Sequence, residues 1–318
     1  MNKTQFLQSL TPPQTPPFLI GGNAETLYAK FLQGKAPAYR RELLPDSTDT
    51  ERVAYDFLDA NNPDAPLIML FHGLEGSSSS HYAVAIMNAA HAAGFHAVVA
   101  HFRSCGGVAS QRFYHSGDSP EIAHMLQLMA ARYRVIDAVG VSLGGNALAK
   151  YLGECGLAGK PAIPRAAAVI SAPIDLPAAG RALQRGLPYL LYTPYFLHTL
   201  LKKVPPAPHK IRSLAAFDNA YTAPLHGFAD KDDYYRRAMC KPFLPHIHTP
   251  TLLLNAQNDP FLPARFLPSA AEVSEQVYLF QPQTGGHVGF VSGKGRGDLN
   301  WLPQTVLCFF AHIAEHNR

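Results

Sequence analysis

Short apolar runs alternate along the chain with segments whose apolar residues have helical spacing. Continuous runs of this length are typical of strands buried on both faces. The runs are PLIMLF (66–71), FHAVVAHF (95–102), IDAVGV (136–141), AAAVISAP (166–173), PTLLLNA (250–256) and QVYLF (276–280). The helical segments are HYAVAIMNAAHAAG (81–94), SPEIAHMLQLMAARY (119–133), NALAKYLGEC (146–155), a helix near 263–274 and WLPQTVLCFFAHIAEH (301–316). The alternation predicts an α/β fold, with a mostly parallel central sheet and helices on both faces.

Three segments do not follow this alternation of strands and helices. AYRRELLP and ERVAYDFLDA, joined by the turn DSTD, suit a pair of antiparallel strands. Residues 177–245 are rich in proline and aromatic residues, and they predict a helical insertion. Residues 1–36 predict a proline-rich arm followed by a short helix, NAETLYAKFLQG. The expected organisation is an N-terminal arm (1–36), a first part of the core (37–176), a helical lid insertion (177–245) and a second part of the core (246–318).

Net charge, cysteine spacing and the length of the apolar runs limit which partners and which cellular location we expect. The 318 residues carry 27 basic and 23 acidic side chains, a net charge of +4 that gives little reason to expect a nucleic-acid partner. The four cysteines are scattered without CxxC spacing, which fits a reducing compartment. We find neither a signal-peptide pattern nor an apolar run of the length that a membrane span needs. We therefore expect a cytoplasmic protein with no integral membrane segment.

Gly140-Val141-Ser142-Leu143-Gly144 is a G-x-S-x-G sequence between a predicted strand and a predicted helix. In a nucleophile elbow the serine occupies a strained turn, and glycine at both flanking positions avoids collisions with the neighbouring strand and helix. The simpler interpretation is a glycine-rich turn with an ordinary serine. The strand-turn-helix context favours Ser142 as a nucleophile.

A serine nucleophile needs a base and an acid that orients the base. Asp259 follows the predicted strand PTLLLNA, and His287 follows QVYLF, so both lie at the sheet edge that carries Ser142. The order Ser, Asp, His is the order of an α/β-hydrolase. Asp175, which follows the strand after the nucleophile, is the alternative acid; its other interpretation is a helix cap or a brace for the insertion.

The loop after PLIMLF is the expected oxyanion loop. It contains His72 and Gly73, and glycine lets the chain bend so that the Leu74 amide faces the site. The second backbone donor is the amide of Leu143. We interpret the His72 side chain as structural within the loop.

Several longer stretches of the sequence are similar to those of a known protein family. They are HGLEGSSSSHYA, HFRSCGG, YHSGD, GVSLGGNALAKYLGE, ISAPIDL, LHGFADKDDYYRRA, LLLNAQNDPF and GGHVGFVSG. On these the sequence resembles the α/β-hydrolases, and among them the YheT-type bacterial hydrolases and the eukaryotic EMB8-like proteins. The resemblance implies a triad of Ser142, Asp259 and His287 and the hydrolysis of carboxylic esters. Ser104 stands where the family usually has glycine, which concerns only the local turn.

The leading hypothesis is a serine esterase for short- to medium-chain or lipid-like esters, without metal or other cofactor. An acyltransferase or thioesterase with the same triad, and a non-catalytic ligand-binding protein, are the alternatives. His246 and His248 form one H-x-H, which is weak evidence for a metal. We interpret the insertion segment 187–204 as a lid over Ser142, with contact to a membrane surface as the alternative. The acidic residues of the insertion are expected to be caps or solvated charges: Asp218, Asp230, Asp232 and Asp233.

Overall fold

One mixed sheet organises the fold. The computed structural model describes residues 1–206 and 209–316. Its strands are β1 (Arg40–Pro45), β2 (Arg52–Leu58), β3 (Leu67–Phe71), β4 (His96–Ala100), β5 (Ile136–Val141), β6 (Ala166–Ile170), β7 (Thr251–Leu254) and β8 (Val277–Phe280). They pair in the order β1-β2-β4-β3-β5-β6-β7-β8. β2 is antiparallel to β1 and to β4, and the remaining pairs are parallel. The predicted mostly parallel sheet and its antiparallel hairpin are confirmed.

Helices flank this sheet. They are α1 (Lys3–Ser9), α2 (Gly22–Tyr28), α3 (His81–Ala92), α4 (Ser119–Ala130), α5 (Leu143–Leu157), α6 (Leu176–Ala182), α7 (Gly186–Leu191), α8 (Thr193–Leu200), α9 (Leu214–Phe217), α10 (Ala223–Leu225), α11 (Lys231–Ala238) and α12 (Trp301–His316). A π-helical turn, Asp218–Thr222, joins α9 to α10. α6 to α11 lie between β6 and β7 in the chain, and they include most of the segment that the sequence predicts as a helical insertion.

Two hydrophobic layers explain why the central strands are largely apolar. In β3, Leu67, Met69 and Phe71 belong to one buried cluster, while Ile68 and Leu70 belong to the cluster on the opposite face. Helices α4 and α5 contribute to the first cluster, and α3 and α12 contribute to the second. A strand whose two faces are both covered has few positions for a polar side chain, so the alternating pattern of a half-exposed strand is absent here.

The structure corrects three local predictions. The helix expected near 263–274 is absent, and only two short 3₁₀ turns form there, Ala264–Phe266 and Ala270–Glu272. Pro263 and Pro268 explain the difference, because proline lacks the N–H that a continuing helix needs. The sequence predicts that Ser119 opens the next helix with Pro120 at its first helical position, whereas α4 begins at Ser119 itself, so Pro120 is its second residue and Asp118 flanks it. The arm also contains α1, which the sequence reading did not predict.

No helix within the described ranges is long and apolar enough to span a membrane. Residues 207–208 of the expected insertion and residues 317–318 of the expected second core part lie outside the described residues. The division of the chain into an arm, two core parts and a lid therefore stays a prediction.

Candidate active site

Ser142 occupies the junction between β5, which ends at Val141, and α5, which begins at Leu143. Its backbone angles are φ 52° and ψ −118°, a conformation that side chains other than glycine rarely adopt. The surrounding backbone fixes this strained residue, since its N–H donates to the Ile170 carbonyl (2.8 Å) and its carbonyl accepts from Asn146 N–H (3.0 Å). Backbone strain of this kind is concentrated at functional positions.

Close backbone packing explains the glycines around the serine. A Cβ atom at Gly144 would lie 2.4 Å from the Phe71 carbonyl oxygen, and one at Gly140 would lie 2.7 Å from the Gly144 carbonyl oxygen. Gly73 approaches from the loop after β3, where a Cβ atom would lie 3.1 Å from the Ser142 Cβ. The sequence analysis predicts that any side chain at Gly140 or Gly144 would collide with the neighbouring strand or helix. These distances identify the atoms with which it would collide.

His287 and Asp259 complete a hydrogen-bonded chain with Ser142. The Ser142 hydroxyl lies 2.8 Å from His287 Nε2, and His287 Nδ1 lies 2.9 Å from Asp259 Oδ2. A carboxylate oxygen can only accept, so Nδ1 carries the proton and Nε2 accepts from the serine. Both partners are buried, and the His287 ring stacks on Phe261 with ring centroids 3.9 Å apart. The fold thus brings together three residues from the ends of β5, β7 and β8.

The N-terminal arm braces the loops that carry the acid and the histidine. The buried Glu25 carboxylate of α2 accepts from Asn258 Nδ2 (2.8 Å) and from Gly285 N–H. Thr26 Oγ1 accepts from the His287 backbone N–H (2.8 Å). The sequence reading missed both residues, because their partners lie more than 230 residues further along the chain. Nothing in the local pattern of α2 indicates these contacts.

The loop after β3 contributes Leu74 to the cavity that contains Ser142, and Leu143 lines the same cavity. The Gly73 N–H donates to the Tyr82 hydroxyl (2.9 Å), so it is already used. His72 is fully buried between the Gly73 carbonyl and the Phe102 N–H, which bond to its two ring nitrogens. Burial lowers the pKa of His72 to about 3, so the ring is neutral at physiological pH and acts as a loop brace.

The cavity has a volume of about 440 Å³ and passes beneath the helices that follow β6. Its apolar wall comes from α6 and α8 together with Leu214, and includes Leu176, Leu183, Phe196 and Leu200. Lys203, just beyond α8, forms an ion pair with Glu75 (2.6 Å), the residue that follows Leu74. This contact joins the helices over the cavity to the loop that carries the Leu74 amide.

The acidic residues of the insertion have different environments. The predicted cap is confirmed at Asp230, which accepts from the first turn of α11, and Asp175, just before the insertion, accepts from Ala178 N–H as a cap of α6. Asp232 and Asp233 pair with lysine and arginine side chains at the surface. The prediction is wrong for Asp218, whose carboxylate accepts from two hydroxyl groups and lines the Ser142 cavity.

The described ranges contain no cluster of three or more His, Cys, Asp or Glu side chains that could hold a metal ion. His246 and His248, which raised that question, accordingly belong to no such cluster. The glycine-rich segment 293–298 forms an exposed loop closed by a bridge between Ser292 and Asp298.

The chain is similar in sequence and in fold to several known proteins. No protein-family model matches the chain. It is 33% identical over 288 residues to "Putative esterase YheT" of Escherichia coli, covering 85% of this chain and 83% of that protein. It is 28% identical over 342 residues to the phospholipase ABHD3 of Homo sapiens, covering 98% and 83%. Among solved structures it is similar to the Pyrococcus furiosus esterase Pf2001, with a TM-score of 0.60, 16% identity, and coverage of 96% and 97%.

Proposed function

The chain belongs to the YheT-like family of α/β-hydrolases and is a carboxylic ester hydrolase, and from that premise we propose that it acts as a serine hydrolase through Ser142, His287 and Asp259. The observation that carries the proposal is the continuous hydrogen-bonded chain from the Ser142 hydroxyl through His287 to Asp259, with distances of 2.8 and 2.9 Å. A nucleophile, a base and an orienting acid within hydrogen-bond reach are the parts that acyl transfer requires.

In the proposed mechanism the Ser142 oxygen attacks the ester carbonyl while His287 Nε2 takes the hydroxyl proton. Asp259 holds the imidazole through Nδ1 and stabilises the imidazolium that forms. The backbone amides of Leu74 and Leu143 donate to the tetrahedral oxyanion. His287 then gives its proton to the leaving alcohol, and an acyl-enzyme remains. A water molecule deprotonated by His287 attacks this ester and releases the carboxylic acid.

The strained backbone of Ser142 supports the same assignment. An ordinary serine gains nothing from φ 52°, whereas this conformation projects the hydroxyl away from β5 and α5 and towards His287. The apolar walls contributed by α6 and α8 favour an ester with an apolar acyl chain, and they exclude water from the charged intermediate. We include in the proposal short- to medium-chain or lipid-like acyl groups.

Steady-state hydrolysis of medium-chain esters by wild type and by Ser142→Ala tests the proposal. We expect Ser142→Ala to lower kcat by several orders of magnitude. Hydrolysis by the Ser142→Ala variant at a rate close to wild type would refute the mechanism. Adding an alcohol acceptor to the wild-type reaction separates hydrolysis from acyl transfer, because an acyltransferase would form the new ester in preference to the free acid.

We also propose a cytoplasmic location. All four cysteines are free thiols, and Cys308 is exposed, as expected of a protein kept in a reducing compartment. Fractionation of the source cells with detection of the protein would test this location.

A further inference from the structure

The cavity that contains Ser142 has a carboxylate in its wall. Asp218 begins the π-helical turn Asp218–Thr222, and Asp218, Thr222 and Tyr235 all line the cavity. Single π-turns occur frequently at functional sites, because the extra residue in the turn redirects a side chain. Gly180 on α6 makes room for this group, since a Cβ atom there would lie 2.9 Å from the Tyr235 ring.

Two hydroxyl groups hold the carboxylate. Thr222 Oγ1 donates to Asp218 Oδ1 and the Tyr235 hydroxyl donates to Oδ2, each at 2.7 Å. A carboxylate has about four acceptor directions, so each oxygen keeps one for another donor. The charged group that acts on Asp218 is Lys231, but the Lys231 ammonium is bonded to Asp232 at 2.6 Å. The phenol of Tyr234 also faces this group from α11.

The Asp218 carboxylate does not help to stabilise the folded chain. Burial raises the pKa of Asp218 to about 6, and within the described residues this carboxylate forms no ion pair, so holding its charge in an apolar cavity costs free energy. Its hydroxyl partners, Thr222 and Tyr235, belong to the same group of helices. An apolar side chain could fill the same space without that cost. A carboxylate kept in the wall of a substrate cavity is better explained by a ligand that supplies the missing donor.

The position of the carboxylate indicates which part of an ester it meets. The leaving alcohol must lie beside His287, which protonates it, and the cavity wall there comes from the arm residue Thr26. The contacts around Asp218 lead to a different part of the cavity wall, which α11 and Ser116 contribute. Tyr234, the neighbour of Asp218 on α11, accepts from Ser116 N–H, and the Ser116 carbonyl accepts from Asn146, one turn along α5 from Leu143. Because these contacts connect the surroundings of Asp218 to the start of α5 and not to Thr26, we take the acyl chain as the part of the ester that reaches Asp218.

We propose that Asp218 recognises a hydrogen-bond donor carried on the acyl chain of the substrate, either a hydroxyl or a protonated amine, with Thr222 and Tyr235 holding the carboxylate in place. The proposal rests on the proposed function, because it takes Ser142 as the point of attack. The natural substrate is then an ester whose acyl group is largely apolar and ends in, or carries, one polar donor.

The test compares ethyl esters in matched sets of equal chain length, with a terminal methyl, hydroxyl or amino group on the acyl chain. The measured quantity is the ratio of kcat/KM for each donor-bearing ester to that for its methyl-terminated partner, in the full-length protein. Because a hydrogen bond to a charged group contributes strongly to discrimination, we expect a preference of about tenfold or more for one donor in wild type. The preferred member identifies the donor as hydroxyl or amine.

Asp218→Asn should remove most of this preference, and Tyr235→Phe should weaken it. Asp233→Asn is the matched control, since Asp233 pairs with Arg236 and Arg237 at the surface of α11, and it should retain the wild-type ratio. The wild-type ratio should also fall as the pH drops below about 6, where Asp218 takes up a proton. A pH effect on the chemical step that both esters of a pair share cancels in the ratio, so this measurement needs no variant.

A wild type that prefers the methyl-terminated ester at every chain length would overturn the proposal. An Asp218→Asn variant that keeps the full preference would also overturn it. Failure of the proposed function looks different: the methyl-terminated esters would then be hydrolysed equally by wild type and Ser142→Ala, or by neither.

Discussion

Removing the Glu25 carboxylate should weaken the site from a distance. Glu25 touches none of Ser142, His287 and Asp259, yet it accepts from Asn258, the neighbour of Asp259, and from Gly285, two residues before His287. Asn258 in turn accepts from Gly286 N–H (2.9 Å). Glu25 therefore holds the acid loop and the histidine loop at a fixed separation. We predict that Glu25→Ala lowers kcat with little change in KM.

The hydrogen bonds that Glu25 accepts determine how large a loss of kcat we expect. Glu25→Ala removes the acceptor of the buried Gly285 N–H and of the half-buried Asn258 Nδ2, and the buried donor alone costs about 1–3 kcal/mol when it is left unpaired. This loss acts on the loops around His287 and is a sizeable fraction of the total stability of a typical domain. A displacement of about 1 Å at a reacting group can lower the rate about 100-fold, so we expect a loss of about 10- to 100-fold in kcat. Glu25→Gln keeps one acceptor and should lose less.

Kinetics and hydrogen exchange together distinguish this positioning role from a general loss of folding. We expect faster exchange of the Gly285 and His287 amides in Glu25→Ala, with the α12 amides still protected. Glu315→Gln, at an exposed carboxylate, is the control and should match wild type. At the neighbouring position, Thr26→Ser keeps the hydroxyl that accepts from His287 N–H, whereas Thr26→Val removes it. Wild-type kcat in both Glu25→Ala and Thr26→Val would refute the reasoning.

Three further outcomes follow from the same structure. Gly144→Ala should abolish activity and lower the melting temperature, because its Cβ would lie 2.4 Å from the Phe71 carbonyl oxygen; retention of both would contradict the packing argument. Burial lowers the pKa of His72 to about 3 and that of His81 to about 4, so the unfolded chain binds more protons below about pH 6.5. Chemical denaturation should therefore show stability falling by about 1.4 kcal/mol per pH unit for each histidine as the pH drops towards these values, and a flat profile would contradict it. Burial raises the pKa of Asp218, so the folded state binds the extra proton between about pH 4 and pH 6 and loses stability as the pH rises through that window. Asp218→Asn should therefore be more stable than wild type above about pH 6 and equal to it below about pH 4, and a variant less stable at neutral pH would contradict this sign.

The sequence carries enough information to predict the central sheet and the three residues of the hydrogen-bonded chain. Strands such as β3 and β6 are buried on both faces, so their apolar runs are continuous and easy to recognise. Parallel strands end at one edge of the sheet, so the loops after β5, β7 and β8 meet there whatever their separation in the chain. The positions of Ser142, Asp259 and His287 follow from that edge.

Other features depend on contacts that no local pattern reports. In the sequence, Glu25 is an ordinary acidic residue in the first turn of α2. Its role as a brace depends on contacts with Asn258 and Gly285, which lie in loops far along the chain. The sequence predicts Asp218 to be a cap or a solvated charge because it is an acidic residue of the insertion, and only the packing of α6 and α11 turns it towards the cavity. The segment after Asp259 has the apolar spacing of a helix, but Pro263 and Pro268 interrupt it.

The most direct test of the central claim is the intact mass of the protein after incubation with a fluorophosphonate, followed by peptide mapping. The account predicts one covalent adduct on wild type, located on Ser142 and absent from Ser142→Ala, because the reagent reacts with a serine only when a base activates it. It also predicts much slower labelling of His287→Ala. A folded wild type that forms no adduct, or an adduct that persists in Ser142→Ala, would contradict the claim that Ser142 is the nucleophile.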